Sequence, residues 1–374
     1  MEKKQELFDR ETGFPIKDKT EAIWYRRICN EDEINRILKP KNGRDFLLQR
    51  RADIIADHVR FTRLYIHKSR QKDWNFEASF KTGHYEQFIA NLNEKDRAKC
   101  RTVSYGDMFT DELNGYCEKN KYFGTIIYLN ESLRYFQYFM ILALFPFDYE
   151  IPVSVRLSAL RISIRILLKT EAMDFEMDPR GIVPKELDIV IREHVEYMMQ
   201  YIAGHEFSHF LCEHFKNSSI KAFFTNYDGK KYESEFYNMS QKQEFEADLK
   251  SLELPHYTTD EYRIQFLAAI YWFIILDIGE HASEIINPSN RHIKTHPSAS
   301  DRIVNIRENA RPPIFRENDI ESIDYLLELS ETIKKFLDED ISVSIEQYEV
   351  YGSVYLAEPN TKWRGKELVD RVDY

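Results

Sequence analysis

The longest helical pattern in the chain is IVIREHVEYMMQYIAGHEFSHFLCEHF, which follows a break at DPRGIVPKELD in residues 178–188. Apolar residues recur in it at helical spacing and are available to face a core: Ile191, Val195, Met198, Ile202 and Phe207. The motif HEFSH, residues 205–209, belongs to this pattern. We therefore predict that HEFSH sits deep inside a long helix.

Other patterns predict the elements around this helix. YFGTIIYLNES, residues 122–132, predicts a strand because it is rich in Thr, Ile and Tyr and reaches a stop at Asn130. VSVRLSALRISIRILL, residues 153–168, fits an alternating strand over part of its length and also fits a helix. Beyond the connector NARPPIFREND, ESIDYLLELSETIKKFLDED predicts an amphipathic helix, and ISVSIEQYEVYGSVYL alternates like one or two strands.

Composition supports a mostly helical α+β fold with a small sheet. Only 12 Gly and 12 Pro occur in 374 residues, and 43% of the residues are hydrophobic, which indicates a globular chain with long helices. We divide it into a helical N-terminal region of unknown role (1–120), a central domain that contains HEFSH (121–310), and a C-terminal helix with strands (311–374) that forms an appendage or a cover.

Charge and segment length exclude several classes of protein. The net charge of −11 argues against a nucleic-acid-binding surface. The four cysteines form no CxxC, so the sequence indicates neither a disulfide framework nor a thiolate zinc site. No apolar stretch follows the basic N-terminus, and the two most apolar stretches, 136–147 and 266–279, are shorter than the roughly 20 residues that span a bilayer. We expect a cytoplasmic protein without a transmembrane segment.

The spacing of HEFSH fits a metal site. His205 and His209 are four residues apart, so on a helix their side chains share a face and can bind one ion. Glu206 lies about 100° round the axis, outside the ligand positions, where its carboxylate can accept a proton from a zinc-bound water. The same spacing arises by chance, and a histidine pair on a helix is more often structural or solvated. The motif alone leaves both interpretations open.

A second helical segment supplies carboxylates. A catalytic zinc ion needs a third protein ligand and keeps its fourth position for water. In QKQEFEADLKSL, residues 241–252, Glu244 and Asp248 share a helix face. Glu244 can complete the ligand set, and Asp248 can accept the second ring N–H of a ligand histidine. A solvated acidic helix is the alternative, although it does not explain why the small Ala247 adjoins Asp248.

Three elements in order, HEFSH, EFEAD and THPSASDR, resemble the motifs of gluzincin metallopeptidases, especially the CAAX prenyl protease and HtpX-like family. The resemblance covers residues 187–305, about a third of the chain. It implies a zincin-like domain in which Glu244 is the third zinc ligand beside His205 and His209, Asp248 supports a ligand, and His296 and Arg302 belong to the active-site region. The best-known relatives are integral membrane proteins, so their substrates do not carry over. Phage-exclusion peptidases of the Lit type share only HExxH with this chain.

We predict a zinc-dependent endopeptidase that cleaves a protein or peptide substrate. In this hypothesis the single zinc ion polarises the scissile carbonyl, Glu206 activates water, and His296 stabilises the oxyanion. A non-catalytic scaffold or sensor stabilised by zinc, and a zinc amidase acting on a non-peptide bond, are the alternatives. Glu206 favours an enzyme because structural zinc sites are normally closed by a fourth protein ligand.

Two further features follow HEFSH in the sequence. His214 follows His209 by five residues and is expected to face away from the ion. Residues 218–238 form either a lid over the cleft or an ordinary surface excursion. The substrate, an activation trigger and the oligomeric state are not indicated by any motif.

Overall fold

The computed structural model describes residues 25–57, 59–110, 112–171, 173, 175, 176, 180, 183–214, 219–225, 231–237, 240–286, 296–351, 362, 363, 366 and 367. Most of this part is helical, as predicted. Its α-helices are α1 (Glu31–Leu38), α2 (Gly43–Asp57), α3 (Val59–Lys68), α4 (Gly83–Ala90), α5 (Glu94–Cys100), α6 (Glu131–Leu144), α7 (Val153–Leu167), α8 (Lys185–Leu211), α9 (Gln241–Glu253), α10 (Thr259–Ile286), α11 (Ala299–Asn309) and α12 (Asp319–Tyr351).

The strands form one five-stranded sheet and one short hairpin. They are β1 (Ser104–Tyr105), β2 (Gly115–Asn120), β3 (Gly124–Leu129), β4 (Ser219–Thr225), β5 (Lys231–Tyr237), β6 (Lys362–Trp363) and β7 (Lys366–Glu367). The order in the larger sheet is β1-β3-β2-β5-β4, and β6 pairs with β7. Only the β1–β3 pair is parallel in the larger sheet. Strands β1 and β2 come from residues up to 120, the predicted end of the N-terminal region. Strands β3, β4 and β5 of the same sheet come from residues after it.

The strand predicted at 122–132 is confirmed as β3, which pairs with β2 in a hairpin. The register runs from Gly115 opposite Leu129 to Asn120 opposite Gly124. At the turn the Asn120 side chain accepts hydrogen bonds from the backbone N–H groups of Tyr122 and Phe123, at 2.8 and 3.1 Å. Gly124 has a φ of 79°, a left-handed conformation that costs glycine little. This turn fixes the position of Gly115 at the other end of the hairpin.

Four helices, α6, α7, α8 and α10, supply much of the core around the sheet. Helix α10 packs against α8, α11 and α12, and α6 packs against α7 and α8. By length and composition α10 is long and apolar enough to cross a membrane, and 83% of its most apolar window is buried inside the protein. The helix is longer than the apolar stretch at 266–279 because polar residues at both ends continue the same helical repeat.

The structure decides one assignment that the sequence left open and corrects two others. Residues 153–168, which fitted two interpretations, form helix α7 as far as Leu167. HEFSH lies in the last two turns of α8 rather than deep inside it, because the helix ends at Leu211. The strands predicted in ISVSIEQYEVYGSVYL are wrong for residues 341–351, which continue α12. No Gly or Pro interrupts the chain there before Gly352, and extending an existing helix avoids the cost of a new nucleus. The rest of that stretch lies outside the described residues.

Within the segment at 218–238, residues 219–225 and 231–237 join the sheet. Its described backbone forms β4 and β5, and β5 pairs with β2 at Glu118–Asn120. The hairpin therefore extends the same sheet that carries Gly115.

Candidate metal site

Helices α8 and α9 lie side by side and bring HEFSH next to EFEAD. Ala247 is fully buried, as its small size next to Asp248 suggested. Gly204 allows a second close approach, since a Cβ at this position would lie 2.7 Å from a ring carbon of Phe88 and 3.3 Å from Cβ of Ser251. Helix α9 begins at a capping box in which the Ser240 side chain accepts from Gln243 N–H and the Gln243 side chain accepts from Ser240 N–H. The capping box sets the residue at which α9 begins, and the small residues Ala247 and Gly204 let α9 pack close to α8.

Three ligating side chains converge between the two helices. His205 Nε2 lies 3.0 Å from His209 Nε2. Glu244 places Oε2 at 3.4 Å from His205 Nε2 and Oε1 at 3.4 Å from His209 Nε2. All three residues are buried. The structure therefore brings together the three residues that the sequence predicted as ligands.

These spacings fit a tetrahedral zinc ion. Two atoms at the usual Zn–ligand distance of about 2.0–2.1 Å and a tetrahedral angle lie roughly 3.3–3.4 Å apart. The observed separations of 3.0, 3.4 and 3.4 Å match the edges of such a site. In addition, Glu244 Oε2 is buried and has no hydrogen-bond partner among the described residues. A cation between these atoms would satisfy the buried oxygen and both facing nitrogens.

The charges suit a cation as well. Burial alone would raise the pKa of Glu244, but the adjacent His205 and His209 hold it well below its usual range. Burial lowers the pKa of His209 to about 4, so this ring is neutral at pH 7 and keeps a free lone pair. Burial opposes the protonation of His205, yet Asp248 and Glu244 raise its pKa to about 9, so a metal must displace a proton there.

Asp248 fixes the orientation of the His205 ring. His205 Nδ1 lies 2.9 Å from Asp248 Oδ1, so Nδ1–H donates to the carboxylate and Nε2 is left to face the ion site. Asp248 is fully buried and is held from the other side by Arg302, whose Nε donates to Oδ2 at 2.8 Å. The Tyr201 hydroxyl donates to Oδ1 at 3.1 Å. The Arg302 guanidinium in turn lies 4.3 Å from the ring centroid of Phe273.

His214 is a partner of His209 that the sequence did not indicate. Contrary to the prediction, it turns back towards the ligands: its Nδ1 lies 2.8 Å from His209 Nδ1, and its Nε2 lies 3.4 Å from Glu246 Oε2. The reversal occurs at Glu213, whose φ of 55° is left-handed and costs a non-glycine residue roughly 1–2 kcal/mol. Because no glycine marks this turn, sequence alone offers no signal for it.

The contact between the two histidines sets the position of their protons. When His209 binds a metal through Nε2, its Nδ1 carries the proton and donates to His214 Nδ1, so the proton of His214 is on Nε2 and faces Glu246. Cys212, His214 and Glu246 form a second group whose ligating atoms lie within 4.8 Å of one another. That group cannot use His214 Nε2 while His209 Nδ1 donates to the other nitrogen.

We expect His214→Ala to weaken zinc binding roughly 10- to 100-fold, the usual scale for losing the partner of a ligand histidine. The dissociation constant is measured by competition with a chromophoric chelator. Cys212→Ser is the matched control, because Cys212 is not in the group formed by His205, His209 and Glu244, and it should bind zinc as the wild type does. Two zinc ions per chain in the wild type and one in Cys212→Ser would contradict the proton positions assigned to the two histidines.

Glu206 lies beside the ligands without joining them. It lines a cavity of about 300 Å³ together with Asn114, Gly115, His205 and Glu244. Glu206 is 8% exposed as a whole residue, and burial raises the pKa of its carboxyl to about 7. A Cβ at Gly115 would lie 3.0 Å from Glu206 Oε1, so glycine leaves room for this carboxylate. The carboxyl therefore faces the cavity with an affinity for protons near the middle of the physiological range.

The residues of THPSASDR reach the same cavity. His296 and Arg302 both line it, whereas Thr295 lies outside the described residues. His296 is 48% exposed on its side chain and places Nδ1 at 3.0 Å from Glu244 Oε2, in a direction that makes no hydrogen bond. Arg302 is held by Asp248. His296 thus occupies the rim of the cavity, and Arg302 its buried wall.

Comparisons of this chain with protein-family models, with curated proteins and with solved structures found no match.

Proposed function

We propose that the chain is a zinc-dependent endopeptidase with a zincin-like domain of the gluzincin type. The observation that carries this proposal is the position of Glu206, a buried carboxyl on the wall of a cavity that two of the three ligand residues, His205 and Glu244, also line. A three-residue set leaves one position of a tetrahedral ion for water or substrate, whereas structural zinc sites are normally closed. The resemblance of HEFSH, EFEAD and THPSASDR to gluzincin motifs supports the same reaction class.

Glu206 is proposed as the general base. A base works best when its pKa is near the working pH, and burial raises that of Glu206 to about 7. The bound zinc ion would supply Lewis-acid chemistry to the water and the scissile carbonyl. Glu206 would accept the proton of the attacking water and then pass it to the leaving amine, because its carboxyl lines the cavity in which both groups would be bound.

Strand β2 is proposed to align the substrate. Within the described residues β5 pairs with β2 only at Glu118–Asn120, so the sheet continues beside Gly115 on the β3 side alone. Asn130 N–H donates to Asn114 C=O, and alternation along an antiparallel strand then directs the peptide groups of Gly115 away from β3. Gly115 N–H donates to Asn114 Oδ1 at 3.0 Å, so an extended peptide that displaces the Asn114 side chain can add there by backbone hydrogen bonds, next to Glu206.

His296 is proposed to donate a hydrogen bond to the developing oxyanion. We expect His296→Ala to lower turnover by roughly two to three orders of magnitude, with little change in substrate affinity and in zinc content. Steady-state kinetics and metal analysis of the purified variant measure these quantities. Loss of zinc from His296→Ala would instead assign His296 to the metal site. Metal analysis is needed to separate the two roles because His296 Nδ1 lies only 3.0 Å from Oε2 of the ligand Glu244.

The experiment that tests the function combines two measurements. Metal analysis of the purified protein should find one zinc ion per chain. N-terminal proteomics of cells expressing the wild type or the Glu206→Gln variant should reveal new protein N-termini that depend on Glu206. Zinc without any Glu206-dependent N-terminus would support a scaffold, a sensor or an amidase in place of a peptidase.

A further inference from the structure

A second cavity of about 350 Å³ lies between α6, the N-terminal half of α8 and Lys81. It shares no lining residue with the cavity of the metal site. Both cavities use α6 and α8, but Val195 is ten residues before His205, which corresponds to roughly 15 Å along a helix. A ligand in this second cavity would therefore be separate from the proposed reaction centre.

One side of the second cavity is aromatic. Phe175 packs between Tyr135 and Phe139, with ring centroids 4.9 and 4.8 Å apart respectively. Tyr138 adds a further ring, and Val183 and Val195 add aliphatic surface. A volume of about 350 Å³ lies within the range of small-molecule pockets, which are mostly apolar with a few polar groups that orient the ligand. This wall fits an apolar body about the size of one ring or a short aliphatic chain.

The carboxylates on the wall already have cationic partners. Glu176 Oε2 lies 2.5 Å from Lys68 Nζ. Asp188 accepts from Arg192 Nε at 2.8 Å and from the Tyr138 hydroxyl at 2.8 Å. Glu196 forms an ion pair with Arg134. The acceptors of this cavity are therefore in use, and a cationic ligand would have to compete for them.

Hydrogen-bond donors, in contrast, are left over. The Tyr135 hydroxyl is buried without a partner among the described residues, and the whole residue is 8% exposed. Arg134 Nε is also buried without a partner. Lys81 is half-buried and forms neither a hydrogen bond nor an ion pair in the described part of the chain, and burial lowers the pKa of its ammonium group. Buried donors without acceptors are costly, so a ligand with acceptor oxygens would be stabilised here.

We propose that this cavity binds a small carboxylate with an apolar, ring-sized body. The carboxylate would accept hydrogen bonds from Lys81 and, once side chains of the wall shift to expose them, from the Tyr135 hydroxyl and Arg134 Nε, and the body would pack on Phe139 and Phe175. A carboxylate supplies several acceptor sites and a negative charge for the ammonium group of Lys81, and hydrogen bonds that involve charged groups are the stronger ones. The inference does not depend on catalysis at the metal site.

Isothermal titration calorimetry of the full chain tests the proposal with phenylpropionate, hexanoate and indole acetate. At least one of these carboxylates should bind saturably, and the corresponding amide, which has the same body without the charge, should bind at least tenfold more weakly. Lys81→Met should weaken binding about tenfold or more, and Tyr135→Phe about threefold to tenfold. Lys72→Met, which removes an exposed lysine, is the matched control and should bind as the wild type does.

Each result of these titrations either supports or overturns the proposed carboxylate site. Tyr135→Phe removes a single unpartnered oxygen and keeps the ring, so it tests the site even if Lys81→Met does not fold. Equal binding of acid and amide, or unchanged affinity in both variants, would overturn the assignment. Absence of saturable binding by all three carboxylates would overturn it too. Binding that persists in Glu206→Gln would place the ligand apart from the proposed reaction.

Discussion

Replacing Glu206 with glutamine is expected to lower peptidase turnover by roughly 100- to 10,000-fold while zinc content stays at the wild-type level. Glutamine has nearly the shape of glutamate but cannot accept a proton, and a positioned base contributes on this scale. Zinc should stay because Glu206 is not part of the group formed by His205, His209 and Glu244. Single-turnover cleavage of a substrate found by N-terminal proteomics, together with metal analysis, measures both quantities.

Glu246→Gln is the matched control for that substitution. It makes the same chemical change on the neighbouring helix, at a side chain that is 46% exposed and lies outside the cavity of the metal site. We expect it to keep most of the activity. A Glu206→Gln protein that cleaves as fast as the wild type would end the proposed mechanism, because that mechanism assigns the base to Glu206 and not to Glu280, the other carboxyl among the described lining residues that is outside the ligand group.

Replacing Glu244 with alanine is expected to abolish stoichiometric zinc binding at micromolar free zinc and to lower the stability of the fold. The substitution removes one of three ligands, and it leaves two buried histidines with their Nε2 atoms 3.0 Å apart and without the Glu244 carboxylate that faces both of them. Binding of a metal to the native state alone stabilises that state by mass action. The melting temperature should therefore rise with added zinc in the wild type and stay unchanged in Glu244→Ala.

Glu246→Ala distinguishes the two carboxylates of EFEAD. Glu246 contacts His214 rather than the ligand nitrogens, so its loss should weaken zinc binding no more than the loss of His214 does. Full zinc occupancy in Glu244→Ala with loss in Glu246→Ala would show that the wrong carboxylate was chosen. It would also break the assigned arrangement, in which Asp248 on the same face as Glu244 orients His205.

Local spacing explains why the ligand residues were predictable. His205 and His209 share a face of α8 because a helix returns to the same side after four residues, and Glu244 and Asp248 share a face of α9 for the same reason. The two acidic side chains take the places expected of them: Glu244 faces both histidines, and Asp248 accepts from His205. The mostly helical fold and β3 were predictable from short-range patterns as well.

Two predictions were wrong because the neighbouring residues decided where a helix ends. Residues 341–351 alternate, yet they extend α12, because the preceding turns already provide a helix to propagate. HEFSH lies near the end of α8, because the chain reverses at Glu213. That reversal, and with it the contact between His209 and His214, depends on a left-handed residue without a glycine to signal it.

By itself, the sequence determined which side chains each helix presents together, since contacts over three or four residues follow from helical geometry alone. Only the tertiary structure decided which of these faces meet. Arg302 reaches Asp248 across 54 positions, and Arg134 reaches Glu196 across 62. Gly115 lies beside Glu206 because the β2–β3 hairpin packs on α8. Such contacts depend on how whole helices and strands pack and on which buried polar groups this packing leaves without partners. The spacing of residues within one helix or strand does not encode the packing.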